Sequence, residues 1–297
     1  MDLFAYDFMQ RALLGVLITG LAAPALGIYL VQRRLALIGD GIGHVALTGV
    51  GLGLLTNNSP VLAAVVVSAV GAVVVELIRE RGKASGDVAL ALLFYGGISG
   101  GVFLVALKES RSTNNLLSYL FGSPLTISVS DLVAMGVLGG AVLAVTVLLR
   151  PWLFAICQDE EYARVSGLPV RQLNLLIAVM TAVTVTVAMR AVGLLLVSAM
   201  MVIPVAAAQL ITRGFRATMH VAMLIGLLAA AGGIAIAAQY NTAPGATIVL
   251  VAIAGFAALA MGGSALKATR RLTINSVGVR GGLDDGSEEQ PDVVLQQ

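Results

Sequence analysis

Charge is what this sequence has least of. Only 11% of its 297 residues are Asp, Glu, Lys or Arg, against about a quarter in a soluble domain. Hydrophobic residues make up 58% and the mean hydropathy is +0.96. Charge this sparse excludes an ordinary soluble domain, and no nucleic-acid partner is expected. A single cysteine, Cys157, excludes an internal disulfide; beside a polar loop it reads as an inert thiol. No Gly-x-x-x-x-Gly-Lys-Ser/Thr loop occurs, so any ATP that drives this chain is hydrolysed by another one. No basic leader precedes the first apolar run. Asp2 and Asp7 stand there instead, and the segment reads as a retained first helix rather than a cleaved signal. Histidine is nearly absent too: His44 and His220 are the pair.

What is present is a series of apolar runs of spanning length, over 11–32, 35–56, 60–78, 87–107, 132–149, 173–189, 192–211, 220–239 and 245–266. Only helices or closed barrels satisfy their backbone in lipid, and these runs are too long for barrel strands. The expected fold is all-α, a polytopic transmembrane bundle of eight or nine helices. The uncertainty in number lies at 173–189 and 192–211, divided by little more than Arg190. Alternating the loops and counting basic residues assigns the sides. One set of loops holds all of the 18 Lys and Arg except Arg11, Lys108, Arg111 and Arg190. With nine helices the N-terminus is therefore outside and the C-terminus inside.

The predicted transmembrane domain covers residues 1–270, and a cytoplasmic tail over 271–297, low in hydrophobicity, is expected to be disordered. The longest inner connection, 150–172, carries Asp159, Glu160 and Glu161, which favour a helix start, and Gly167 with Pro169, which close it. This predicts a short helix over 158–168 outside the bilayer, either a plain connector or a docking element for a cytoplasmic partner. In the outer loop, Leu116 to Phe121 is half-apolar and suits the membrane interface or a re-entrant dip. Asp87 and Asp131 stand at helix starts and read as caps. His220 begins a helix beside a basic loop and reads as an interface residue.

The most informative turn is Gly39-Asp40-Gly41-Ile42-Gly43-His44. Asp40 and His44 are four apart and share a helix face. Ionisable groups inside a membrane helix are costly and mark a path for something polar. A carboxylate and an imidazole are ligands suited to zinc or manganese. At 1.5 Å per residue His44 stands about 14 Å beyond Leu35, near mid-bilayer. Two ligands are too few for one ion, and the chain has no second such pair, so a two-fold related copy of the helix is expected to supply the rest. Gly39 with Gly43, and Gly49 with Gly53, are small-residue pairs that would let the two copies touch. The plainer alternative is that Asp40 and His44 bond each other or nearby backbone and only hold the bundle together. Thr48, one turn on, either lines the path or bonds its own helix carbonyl.

These pieces resemble a known group, the membrane permease subunits of bacterial zinc, manganese and iron ABC importers. The resemblance runs from about Phe8 to Leu266. It is carried by Gly39 to Ala46, by Tyr119-Leu-Phe-Gly-Ser123, by Glu161-Tyr-Ala-Arg-Val-Ser-Gly167 and by Pro244 to Leu250. It implies that Asp40 and His44 bind the transported ion. It implies that the segment with Glu160, Glu161, Tyr162, Arg164 and Gly167 is a coupling helix docked on a cytoplasmic ABC ATPase dimer. An extracytoplasmic protein would deliver the metal, and a second copy of the permease would complete the path. The implied place is the bacterial cytoplasmic membrane, within lipid. No resident cofactor is implied; the metal is cargo, zinc first, with manganese or iron next. The chain would be a transport subunit and not an enzyme. The competing functional reading is an ion-coupled secondary transporter or channel in which Asp40 and His44 relay protons or cations. A metal-chelate permease would need a roomier path than the glycine seam suggests.

Overall fold

The computed structural model describes residues 6–80, 86–107, 119–123 and 127–281. Among them all regular structure is helical: α1 (Asp7–Gln32), α2 (Ile38–Leu55), α3 (Pro60–Glu80), α4 (Gly86–Ala106), α5 (Val129–Leu148), α6 (Arg150–Gln158), α7 (Glu160–Val165), α8 (Val170–Ala191), α9 (Leu194–Ile211), α10 (Phe215–Tyr240) and α11 (Pro244–Gly281). Seven of these are long and apolar enough to cross a membrane, and α4 and α9 add shorter apolar stretches over Leu90–Ala106 and Leu196–Ile211. Each of the nine predicted runs thus falls on one helix.

Burial follows the residue types. α1 and α8 form the centre of the bundle, and both are largely enclosed. Some of their interior hydroxyls satisfy themselves on the preceding turn: Thr19 donates to the Gly15 carbonyl, and Thr181 to that of Ile177, while Thr184 Oγ1 of α8 is buried without a hydrogen-bond partner. The outer helices point their large apolar residues away from the bundle. Leu62, Val66, Val70 and Val74 recur every fourth residue along α3 and all are exposed. An outward stripe of that kind is a lipid face.

The division between α8 and α9 falls at Val192-Gly193 rather than at Arg190. Gly193 has φ +95°, a conformation that residues with a Cβ rarely adopt. A Cβ there would also collide with the backbone of Phe121 and Gly122. The Tyr119–Ser123 segment is therefore seated directly on this break. Tyr119 is buried and its hydroxyl accepts a 3.1 Å hydrogen bond from Arg190 Nη1. Arg190 Nη2 is ion-paired with Asp131. The described part of the predicted interfacial stretch thus turns inward; residues 116–118 lie outside the described residues. The cap itself is Ser128 rather than Asp131: Ser128 Oγ accepts from the Asp131 amide, and Asp131, three residues on, accepts from the Ser128 amide to complete a capping box. The Asp87 side chain lies outside the described residues.

The inner connection contains two helices, Arg150–Gln158 forming α6 ahead of α7. The last helix runs to Gly281. The remainder of the tail, 282–297, lies outside the described residues.

Candidate metal site

α2 is glycine-rich because it is crowded. α4 crosses it so closely that a Cβ on Gly97 would overlap the backbone of His44 and Val45. At that crossing Thr48 Oγ1 donates to the Gly97 carbonyl, 2.7 Å away on α4. The threonine therefore bonds across helices rather than to its own. On the other flank α2 meets α3, α8 and α9.

The four glycines of the expected dimer seam are used inside the protomer. A Cβ on Gly39 would face Met201 and Ser198 of α9, and one on Gly43 would collide with Leu194. Gly49 lies against the backbone of Ala63 and Ala64, and Gly53 against Pro60, all on α3. All four are buried. Small residues in α2 thus let its own chain's helices approach within the protomer.

Depth comes from the neighbours. Counted from its observed start at Ile38, His44 lies only about 9 Å along α2. Yet Val45 fills the space at Gly71, which is midway along the 21-residue α3. α2 therefore begins well inside the bundle, and the Asp40–His44 turn sits at half-depth.

Asp40 Oδ1 accepts a 2.6 Å hydrogen bond from Ser198 Oγ of α9. Its other oxygen accepts none from the described residues. His44 is 4% exposed, with Phe94 of α4 against its ring at 4.1 Å between centroids. Its Nδ1 is buried with no hydrogen-bond partner. Asp40 and His44 do not hydrogen-bond to each other; the bond that Asp40 makes is to Ser198. Beside them a cleft of about 330 Å³ is lined by Leu37, Asp40, Gly41, Leu90, Phe94 and Tyr95. It opens on an apolar face where Leu37 and Tyr95 are each 69% exposed. Buried polar groups normally find partners; an orphan imidazole nitrogen beside a half-engaged carboxylate is an arrangement that a cation would satisfy. Among the described residues no cluster of three or more His, Cys, Asp or Glu exists, so one protomer supplies two such ligands at most. His220 is exposed and distant in sequence from this turn. Ser198 is the residue that sequence reasoning missed. Its signal was a lone hydroxyl in the apolar run Leu194 to Ile203.

The cytoplasmic docking candidate is equally specific. Asp159 caps α7, its Oδ1 accepting from the Tyr162 amide at 2.9 Å. At the other end Leu168 N–H returns to the Ala163 carbonyl and Gly167 N–H to that of Arg164, with Gly167 at φ +81°, a Schellman closure. Glu160 faces inward. It pairs with Arg33 at 2.8 Å and accepts from Asn174 Nδ2 at 3.2 Å, while Arg33 also donates to Asn174 Oδ1 at 2.8 Å. Glu161, Tyr162, Arg164 and Val165 face outward, Val165 being 88% exposed.

A multi-pass helical bundle with a polar turn at half-depth and a capped helix outside the bilayer defines a membrane permease. Residues 5–262 match the model of the ABC 3 transport family, and the chain belongs to that family. It is 29% identical over 247 residues to the high-affinity zinc uptake system membrane protein ZnuB of Haemophilus influenzae, covering 82% of this chain and 94% of that one. It is 29% identical over 257 residues to the manganese transport system membrane protein MntC of Halalkalibacterium halodurans, covering 86% and 87%. Among solved structures, PsaBC from Streptococcus pneumoniae in complex with Fab superposes with a TM-score of 0.79 at 27% identity, covering 86% of this chain and 92% of that one. The chain is thus a multi-pass protein of the cytoplasmic membrane and of ABC importer permease type.

Proposed function

We propose that this chain is the permease subunit of an ATP-driven importer that carries a divalent transition metal ion inward, zinc first, with manganese or iron next. The observation that carries this reading is the buried, unpartnered Nδ1 of His44 one helical turn from Asp40, whose side chain lines a cleft at half-depth. Two ligands suit a shared site better than a private one, since zinc commonly takes four. A second copy laid over the face at Leu37 and Tyr95 would cover exposed apolar surface and bring a second Asp and His to the first. Energy would come from a separate ATPase dimer seated on the outward face of α7, where Tyr162 and Val165 offer apolar surface in a polar setting. An extracytoplasmic metal-binding protein would supply the ion. The relatives named for zinc and for manganese support the substrate class without dividing it.

The test is uptake into proteoliposomes holding the permease and its ATPase, across a panel of free zinc, manganese and ferrous ions. ATP-dependent accumulation that Asp40→Asn and His44→Ala each abolish, in protein that still folds, is the expected result. Accumulation driven by a proton gradient without ATP would instead establish an ion-coupled carrier. Unchanged uptake in both variants would make the pair structural.

A further inference from the structure

One cavity has neither Asp40 nor His44 in its lining. It has a volume of about 590 Å³ and lies between α6 and the start of α10, lined by Arg150, Pro151, Phe154, Phe215, Arg216 and Ala217. Its polar wall is cationic: no carboxylate lines it, and neither Arg150 nor Arg216 makes an ion pair among the described residues. Its floor is aromatic. Phe154 and Phe215 pack at 4.8 Å between centroids, and Phe215 rests in turn on the buried ring of Tyr29 at 5.3 Å. The pocket is at the cytoplasmic end of the bundle, where basic residues concentrate.

Its surroundings indicate what occupies it. Leu148, which ends α5, is 77% exposed; Trp152 of α6 is 49% exposed, and Ile211, which ends α9, is 55% exposed. These residues flank the pocket-lining positions in sequence, Leu148 and Ile211 closing the apolar helices α5 and α9. A half-exposed tryptophan at such a level is typical of the membrane–water interface. The pocket therefore has guanidinium groups, an aromatic floor and an apolar approach from the acyl region. The geometry points to a binding site for an anionic phospholipid of the cytoplasmic leaflet. The phosphodiester would sit between Arg150 and Arg216, and the upper acyl chain would run along Leu148 and Ile211. Basic pockets between membrane helices on this side suit such headgroups. Guanidinium groups match phosphate oxygens through paired N–H donors. This site is independent of the metal reading above.

The full-length chain in neutral detergent, titrated with phosphatidylglycerol and examined by native mass spectrometry, tests the assignment. Wild type is expected to retain one phosphatidylglycerol per chain under conditions that strip phosphatidylcholine. Each arginine near an anionic lipid surface is worth about fivefold, so the double variant Arg150→Gln, Arg216→Gln should retain it about 30-fold less well. Ala217→Trp, an exposed position that leaves both charges in place, should displace the lipid by filling the cavity. Arg150→Lys with Arg216→Lys should bind between wild type and the glutamine variant, since it keeps the charge and loses the paired donors. Inorganic phosphate in the millimolar range should not compete, because it lacks the chains that hold the headgroup in place. The assignment is overturned if phosphatidylcholine is retained equally, if both the glutamine and the tryptophan variants keep phosphatidylglycerol, or if inorganic phosphate displaces it. It is also overturned if the variants keep the lipid and lose only association with the ATPase, since the pocket would then be a protein interface.

Discussion

Ser198 Oγ and Asp40 Oδ1 are 2.6 Å apart, although 158 positions separate them in the chain. The bond fixes one oxygen of the carboxylate and joins α9 to α2 at the level of His44. Groups that orient metal ligands in this way typically carry about 10- to 100-fold in affinity. Ser198→Ala should therefore weaken zinc binding by about tenfold, and Ser198→Thr, which keeps the hydroxyl, should restore most of it. Isothermal titration with the purified complex reads both. Equal affinity in Ser198→Ala and wild type would show that Asp40 needs no such support.

The crossing of α2 and α4 leaves no room at Gly97. Gly97→Ala would push the methyl into the backbone of His44 and lengthen the Thr48 hydrogen bond. Overpacking of this kind costs roughly 1–3 kcal/mol. Thermal unfolding should register a lower midpoint, whereas Gly96→Ala, with nothing within 4 Å of its would-be Cβ, should leave it unchanged. If the two variants melt alike, the close approach is not what requires glycine there.

On α7 the buried and exposed faces make different predictions. Ala163 is 1% exposed, and Ala163→Pro would break the helix interior and disturb its packing. Val165→Asp changes only outward surface. It should leave folding and metal binding intact and abolish ATP-driven uptake by weakening contact with the ATPase. Wild-type uptake by Val165→Asp would remove this face from the docking surface.

Cys157 gives a pH-dependent prediction. Its thiol lies half-buried on α6 with Sγ 3.7 Å from the Tyr29 carbonyl, and burial pushes its pKa up to about 11, against the partial relief supplied by Arg33. Only the thiolate reacts, so alkylation should be negligible at pH 7.5 and rise steeply as pH approaches 11. Iodoacetamide labelling followed by intact-mass measurement checks this. Rapid labelling at neutral pH would mean that the thiol is not buried.

The parts legible in the sequence are those written locally. The apolar runs, the helix start near Asp131 and the placing of Asp40 and His44 on one helix all follow from spacing and side-chain type. The partners of the four α2 glycines were not legible, because a glycine records that something comes close without recording what; within the protomer Ala64 and Pro60 come from α3, and Leu194 and Met201 from α9. α6 was missed because it begins directly after α5, with no gap in helical character beyond Leu149. Glu160 reads in sequence as a helix-start acid of the docking segment, and only the fold brings Arg33 and Asn174 to it. The bond from Ser198 to Asp40 was invisible for the same reason: the chain carries both groups, but the meeting is tertiary.

The clamp on Glu160 has a mechanical consequence. Arg33 is nearly enclosed, with its side chain 7% exposed, so a motion that swung Glu160 away would strand a buried guanidinium. α7 is consequently a stiff joint and not a hinge: it cannot swivel on its own without breaking charge pairing. Force applied to its outward face passes as a load into the ends of α1 and α8, the two most enclosed helices, and these lead to the centre of the bundle.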